Sequence, residues 1–175
     1  MSLIASLVLL VLAALPVPAS AWNIPGHMLS GIITYQVLQR ENPQTVDKVK
    51  AVLEKHPWYP NQWQARLPVV PVADHGLVLF MQASRWADDV RSQGKAQNRP
   101  SWHYINLPFK PDGQPADVQM REPDPVNILT ALAENENVVK NENDSERKAI
   151  ALTWLFHLVG DIHQPLHTTQ LFTVD

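Results

Sequence analysis

The chain has 175 residues, a formal net charge of -3 and no cysteine. Its length is that of one domain, which can bury a substantial core, and the absence of cysteine excludes disulfides as a source of stability. The slightly acidic balance excludes the broad basic surface of proteins that grip duplex nucleic acid. An anionic substrate would therefore be attracted locally, for instance by metal ions, and bound zinc could also cross-link the fold.

The N-terminal segment differs from the rest of the chain. An apolar run at residues 3–15 is followed by small residues at Ala19 and Ala21, as the A-x-A rule for signal-peptide cleavage requires. No basic residue precedes the run, and a membrane anchor is the alternative, but the run is short for a spanning helix. We expect a signal peptide at residues 1–21 and a secreted or periplasmic protein that begins at Trp22.

The rest of the chain shows helical spacing interrupted by proline-rich segments. Residues 56–71 and 99–119 are predicted to be loops, with His56 and His75 as loop histidines. No stretch alternates as a strand would, so the predicted fold class is all-α. The predicted helices cover residues 27–40, 43–53, 74–91, 125–138 and 146–162, the second opened by Asn42-Pro43, the fourth by Asp124-Pro125 and the last by Asp144 or Ser145.

The densest polar motif runs from His157 to His167. On a helix His157 and Asp161 share one face, because they are four residues apart. Pro165 ends that helix, since it lacks an N–H and disfavours the α region for the residue before it, so His167 can point elsewhere. Such convergence is typical of metal sites, although the His-x-x-x-Asp spacing alone often arises by chance. His163 is expected to support the site or to lie at the surface.

A second cluster directly follows the predicted cleavage point. Cleavage after Ala21 would give Trp22 a free α-amine, with an unperturbed pKa of about 7.7–8.0. The amine and carbonyl oxygen of one residue form a compact chelate once the amine is deprotonated. His27 could complete that site, although a lone histidine at a helix start more often makes a capping contact.

Two further clusters lie in the middle of the chain. Asp88 and Asp89 end the third predicted helix, where the helix dipole favours cations over acids. That cost is easier to explain if Asp88 faces a metal, whereas Asp89 fits a solvated helix end. His103 lies between Trp102 and Tyr104, and a lone histidine between aromatic residues is more often a packed core residue than a ligand.

In their order and spacing these clusters resemble the S1/P1 nuclease family, which consists of exported, zinc-dependent, single-strand-specific enzymes whose mature chain begins with tryptophan. The resemblance runs from Trp22 to the end of the chain. It implies a mostly helical domain, of a type shared with zinc-dependent phospholipases C, with three zinc ions in a cleft. The matching pieces are Trp22 with Gly26-His27, Trp86-Ala87-Asp88, His103-Tyr104-Ile105-Asn106, and the motif from His157 to His167.

The resemblance also implies which residues would bind the zinc ions. The second zinc ion would be held by Trp22, through its amine and carbonyl oxygen, and by His27, with Asp161 as a bridge to the first. The third would have His167 as its first ligand. The first zinc ion would be held by two histidines and two aspartates, namely Asp88, His103, His157 and Asp161.

The implied reaction is hydrolysis of a phosphodiester. Two zinc ions bridged by Asp161, about 3.5–4 Å apart, could activate a water that Asp88 orients for in-line attack. Tyr104 would stack on an unpaired base, which contributes about 1–3 kcal/mol, and Asn106 occupies the position where relatives can carry an acid that reads the base. The expected enzyme is an endonuclease that cleaves single-stranded DNA and RNA to 5'-phosphorylated products, with 3'-nucleotidase activity as an option.

Members of this family continue beyond the point where this chain stops, and a later histidine and aspartate complete their third zinc site. We therefore expect residues 22–175 to be a nuclease domain that lacks its C-terminal part and has two complete zinc sites. Two alternatives stay open: a zinc-dependent phospholipase C and an inactive zinc-binding fragment. The aromatic residue after His103 favours the nuclease, and neither a protein partner nor lasting membrane association is expected.

Overall fold

The computed structural model of the chain describes residues 23–93 and 96–174, apart from the side chains of residues 92 and 93. The predicted signal peptide and Trp22 lie outside the described residues. The structure is 67% helical, which confirms the prediction of a mainly α fold. The described helices are α1 Ile24–Glu41, α2 Pro43–Leu53, α3 His75–Gln93, α4 Ile128–Asn141 and α5 Ser145–Ile162.

Shorter elements connect these helices. None of the described helices has the length and apolar character needed to cross a membrane. The short helical turns are Tyr59–Trp63, Gln64–Val69, Val72–Asp74, Pro100–His103 and Pro165–His167, and the strands are β1 Leu107–Phe109 and β2 Thr169–Leu171.

Side-chain caps decide where two of the site-bearing helices begin. Helix α1 begins three residues before its predicted start, because Asn23 accepts a hydrogen bond from the N–H of Gly26 at 3.2 Å and Pro25 is well suited to the first turn. Helix α5 begins at Ser145, where Asp144 accepts hydrogen bonds from first-turn N–H groups, as predicted. Both caps satisfy backbone donors that have no partner inside the helix.

The fourth helix begins later than the sequence suggested. The Asp124 carboxylate accepts from the N–H of Val126 at 2.8 Å and forms a turn rather than a helix start. Asn127 is the actual N-cap, and it forms a capping box in which Thr130 Oγ1 accepts from the Asn127 N–H at 3.1 Å. Of two competing caps three residues apart, the reciprocal one defines the helix start.

The two strands were missed by the sequence prediction. They pair in parallel, with Leu107 opposite Thr169, and each has only three residues. Such short and largely exposed strands have no room for an alternating pattern. Their effect is nevertheless important, because the N–H of Ile105 donates to the carbonyl of His167 at 2.8 Å, so the segments that follow two candidate ligand histidines lie side by side.

Helix α3 packs against both α1 and α5, and α4 packs on the outside of α5. Helices α1 and α3 approach closely at Gly31, where an added Cβ would overlap Ser84 Oγ and lie 2.7 Å from the carbonyl oxygen of Phe80 on α3. Buried aromatic and aliphatic residues fill the space between the helices; the largest are Trp63, Trp86, Trp154, Phe80 and Leu53.

His56 lies in a loop, as expected, but its side chain belongs to the core, whereas His75 is the first residue of α3 and not a loop residue. The His56 side chain is buried, stacks on Trp63 at 4.4 Å between ring centroids and meets the edge of Trp86 at 4.8 Å. Its Nδ1 accepts a hydrogen bond from the N–H of Trp58 at 3.1 Å. Burial lowers the pKa of His56 to about 3, so the ring is neutral in the folded protein.

We expect Gly31→Ala to destabilise the fold by about 1–3 kcal/mol, because the new methyl group overpacks the contact between α1 and α3. Urea unfolding of both proteins measures the change, and Gln36→Ala on the exposed side of α1 is the control, with an effect within about 0.5 kcal/mol. A more stable Gly31→Ala protein would show that helix propensity outweighs the contact.

We expect His56 to make stability depend on pH. Its pKa is about 3 in the folded state, whereas the ordinary pKa of a histidine is 6.5, so the unfolded state binds more protons between these values. The contribution of neutral His56 is complete above pH 6.5 and is lost as pH falls, by up to about 1.4 kcal/mol per pH unit. The stability advantage of the wild type over His56→Gln, measured by urea unfolding, should therefore shrink from pH 7 to pH 5; parallel curves would contradict this.

Candidate metal centre

Six of the residues that the sequence predicts as metal ligands lie side by side. They belong to three helices and two short turns, so the site forms only when α1, α3 and α5 pack together. In chain order they are His27 on α1, Asp88 on α3, His103 at the end of its turn, His157 and Asp161 on α5, and His167 at the end of the last turn. The seventh, Trp22, lies outside the described residues.

Asp161 lies at the centre of this group and is 1% exposed. Its Oδ2 atom lies 3.0 Å from His103 Nδ1 and 3.0 Å from His157 Nε2. Its Oδ1 atom lies 3.4 Å from His27 Nε2 and 3.8 Å from His167 Nε2. The two oxygens of one carboxylate therefore face two different pairs of histidines, which is the arrangement that a bridging carboxylate requires.

The first pair forms a compact donor triangle with Asp161. His103 Nδ1, His157 Nε2 and Asp161 Oδ2 are mutually 3.0 Å apart. Ligands of a tetrahedral zinc ion, at bond lengths of about 2.0–2.2 Å, lie about 3.3–3.5 Å apart. A shift of a few tenths of an ångström would thus place all three atoms at bonding distance from one ion.

Asp88 lies between the two groups. Its Oδ2 is 3.5 Å from His27 Nε2, and its Oδ1 is 3.8 Å from His157 Nε2. With His27 and His157 it forms a second set of potential ligand atoms that lie within 4.8 Å of one another. Its side chain is 20% exposed, so it is the more accessible of the two carboxylates.

The proton on His157 indicates that the donor set fits a cation. His157 Nδ1 lies 2.8 Å from the carbonyl oxygen of Ser84, which can only accept, so Nδ1 carries the proton. In the neutral ring Nε2 then has a lone pair, and it lies 3.0 Å from the Asp161 carboxylate. In that neutral state the two lone pairs repel each other, and a proton or a metal ion between the two atoms would make the contact attractive. A carbonyl that orients the outer nitrogen is also the usual support of a metal-binding histidine.

Helix packing holds the imidazole rings in place. The rings of His27 and His157 stack, with centroids 3.8 Å apart and planes at 21°. Gly160 permits this approach, because a Cβ there would lie 3.0 Å from His27 Nδ1. The buried ring of Trp154 packs against His103, with ring centroids 5.4 Å apart. The ligand geometry therefore depends on the same contacts that hold α1 and α5 together.

Burial sets the charge of these groups. Burial, followed by the neighbouring His157, lowers the pKa of His27 to about 4, and burial also lowers the pKa of His103. Burial raises the pKa of the Asp161 carboxyl, but the hydrogen bond from His103 and the surrounding imidazoles lower it by more, so it stays below its usual range. Neutral His27 and His103 beside an ionised Asp161 are the protonation states that metal binding needs.

A cavity of about 420 Å³ opens onto this centre. Arg91, which the sequence analysis missed, lines it together with Asp88, and its Nη2 lies 3.3 Å from Asp88 Oδ1. The available signal was the spacing of three residues on α3, which places both side chains on one face. The cavity thus combines carboxylates and imidazoles with one guanidinium, as an anionic substrate would require.

The other residues singled out in the sequence lie outside the ligand group. Tyr104 is 38% exposed, Ile105 is buried, and the backbone is extended, so Tyr104 and Asn106 project from one face of the segment. Neither lines the 420 Å³ cavity. His163 is exposed and bonds back to its own helix, with Nδ1 2.6 Å from the Val159 carbonyl oxygen.

Asp89 does not lie at a solvated helix end, in contrast to the sequence interpretation. Both of its carboxylate oxygens accept hydrogen bonds from Arg85, at 2.7 and 2.8 Å. The two side chains are four residues apart on α3 and mostly buried. This bidentate pair accounts for Asp89, which leaves Asp88 as the acid at this end of α3 that faces the candidate metal centre.

The chain was compared with known families and proteins. It matches the family model described as S1/P1 Nuclease over residues 22–173, which includes all the candidate ligands. It has no significant match among the curated proteins or the solved structures. The family match confirms the resemblance seen in the motifs and indicates a nuclease, a hydrolase whose substrate is nucleic acid. The chain therefore belongs to the S1/P1 nuclease family.

Proposed function

We propose that this chain is a zinc-dependent endonuclease that hydrolyses phosphodiester bonds of single-stranded DNA and RNA to 5'-phosphorylated products. The observation that carries the proposal is Asp161, whose two oxygens face two different histidine pairs at 3.0–3.8 Å. This geometry suits two neighbouring metal ions, and nitrogen and carboxylate donors suit zinc.

The ligand assignment follows the distances. The first ion would be held by His103, His157 and Asp161, with Asp88 on its open side. The second would be held by His27 and the other oxygen of Asp161, with the amine and carbonyl oxygen of Trp22 after cleavage of the signal peptide. Bound zinc would supply an activated water at neutral pH and positive charge for the phosphate.

The third ion of the family would take His167 as its first ligand. His167 Nε2 lies 3.8 Å from Asp161 Oδ1, and its side chain is 16% exposed at the edge of the cavity. It can therefore reach a metal ion that faces substrate rather than the protein interior. The proposal for the third ion rests on His167 alone, whereas each of the first two ions is proposed on several ligands.

Two residues of the cavity, Asp88 and Arg91, and two residues outside it, Tyr104 and Asn106, would position the substrate. Asp88 can accept a proton from the attacking water, because its carboxylate is ionisable, partly exposed and adjacent to both ligand groups. Arg91 can donate two parallel hydrogen bonds to the non-bridging phosphate oxygens, which suits a guanidinium better than an ammonium. Tyr104 would stack on an unpaired base, and the Asn106 amide would bond to its edge.

The proposal is tested by hydrolysis of single-stranded DNA by protein that begins at Trp22, after loading with zinc. We expect release of 5'-phosphorylated nucleotides that stops on addition of a chelator, and little cleavage of duplex DNA. Asp161→Asn should lower both zinc content, measured by elemental analysis, and hydrolysis, the latter by at least about 100-fold.

Asp47→Asn, at an exposed position of α2, is the matched control and should change neither quantity. Hydrolysis that persists with the chelator would overturn the zinc mechanism. Bound zinc without hydrolysis would identify an inactive zinc-binding chain, and cleavage of phosphatidylcholine instead of DNA would identify a phospholipase.

Arg91→Ala tests the role of the cavity guanidinium. Because Arg91 is assigned to the phosphate and not to the metal, zinc content should stay the same while kcat/KM on single-stranded DNA falls by about 100-fold. Arg91→Lys should recover part of this loss, since it keeps the charge but not the bidentate geometry. Loss of zinc from Arg91→Ala would instead mean that Arg91 acts by orienting Asp88.

A further inference from the structure

A second cavity, of about 220 Å³, lies between α4, α5 and the turn Pro100–His103. It contains none of the candidate metal ligands, but Trp154 lines it and also contacts His103, with ring centroids 5.4 Å apart. Trp154 therefore separates this cavity from the metal centre. The side chains that matter for its chemistry are Arg99, Arg147, Trp102, Trp154, Glu134 and Asn135.

Two guanidinium groups line this cavity and keep donors available. Arg99 Nη1 donates to the carbonyls of Ala96 and Asn98 at 2.9 and 3.2 Å, and its guanidinium lies 5.8 Å from the ring centroid of Trp102. Arg147 Nη1 pairs with Glu142 at 2.8 Å. Among the described residues, the Nε and Nη2 donors of both arginines have no hydrogen-bond partner. Both arginines are exposed, Arg147 to 66%, so their remaining donors are accessible to phosphate oxygens.

Asn135 supplies a buried hydrogen-bond acceptor, whereas the arginines supply donors. It is 4% exposed, and its Nδ2 donates to the carbonyl of Ala131 at 2.7 Å. The Oδ1 atom therefore remains as an acceptor, and no described residue donates to it. Glu134, next to it on α4, lines the same cavity and adds a carboxylate. The wall thus offers acceptors for amino or hydroxyl groups beside donors for phosphate.

Aromatic surface completes the pocket. Trp102 is partly exposed, and its ring packs against Trp154 at 4.9 Å between centroids. An indole beside a guanidinium is a stacking surface for a planar base, and such stacking tolerates any base. By contrast, the two cavities along α1 and α5 are lined mostly by apolar side chains and have no arginine.

We propose that this second cavity binds one nucleotide of a single-stranded substrate at a distance from the scissile phosphate. Arg99 and Arg147 would bind its phosphate, Trp102 would stack on its base, and Asn135 Oδ1 and Glu134 would accept hydrogen bonds from amino or hydroxyl groups. The identity of the ligand rests on the proposed nuclease function. A long strand would occupy both sites, and its affinity would rise because the second contact is intramolecular.

Substrate length provides the kinetic test. We expect the double variant Arg99→Gln/Arg147→Gln, loaded with zinc, to raise KM for a 20-nucleotide single strand by about tenfold. For a dinucleotide, which is too short to fill both sites, kcat/KM should stay unchanged. The control Arg40→Gln/Arg66→Gln removes the same charge from exposed positions outside the cavity. Equal effects of the two double variants, or equal effects on both substrates, would overturn the proposal.

A direct binding measurement tests the second cavity independently of the proposed nuclease activity. Calorimetric titration of the zinc-loaded wild type with a 5'-mononucleotide should show two sites, and the Arg99→Gln/Arg147→Gln variant should show one. If the wild type hydrolyses no DNA but binds two mononucleotides while the variant binds one, the second cavity is supported as a binding site and the nuclease function is contradicted. One site in both proteins would overturn the second cavity. If the double variant does not fold, the single variant Arg99→Gln serves for the same comparison.

Discussion

The structure depends on a buried, ionised carboxylate. Asp161 is 1% exposed and is surrounded by imidazoles, of which burial keeps His27 and His103 neutral. A buried charge costs several kcal/mol unless hydrogen bonds or an opposite charge compensate it. His103 Nδ1 lies within hydrogen-bond distance of Asp161 Oδ2 at 3.0 Å, whereas the N–H at His157 Nδ1 is directed to the Ser84 carbonyl. A metal ion bound among these side chains would compensate the buried charge further, so metal binding would contribute to the stability of the helix bundle.

The core and the metal centre are built from the same helices. Trp86 lies two residues before Asp88, and Trp154 lies three residues before His157, so each helix carries a core aromatic and a candidate ligand. The ring of Trp86 meets those of His56 and Trp154, and Trp154 in turn meets His103. This continuous aromatic packing gives the ligands a rigid support, which is the condition for holding metal geometry closely.

Local chemistry made much of the fold predictable. Helical spacing and caps such as Asp144 are properties of neighbouring residues, and they locate all five described α-helices to within a few residues. The predictions failed where local patterns were ambiguous or absent. Asn127 and not Asp124 caps the fourth helix, because it forms a reciprocal pair of hydrogen bonds with Thr130, and the two three-residue strands are too short to show a pattern. The burial of the loop residue His56 was not predicted, because the aromatic rings that bury it lie on other elements.

By itself the sequence determined the helices, the family and the residues with ligand chemistry, because these follow from contacts within a few residues and from the order of motifs. His157 and Asp161 share a face through helical periodicity alone. Only the tertiary structure decided that the oxygens of Asp161 face different histidines, that Arg91 lines the cavity and that Trp154 separates it from a second one. His103 and Asp161 are 58 residues apart in the chain. Their 3.0 Å contact depends on how the helices and turns pack, which no local preference specifies.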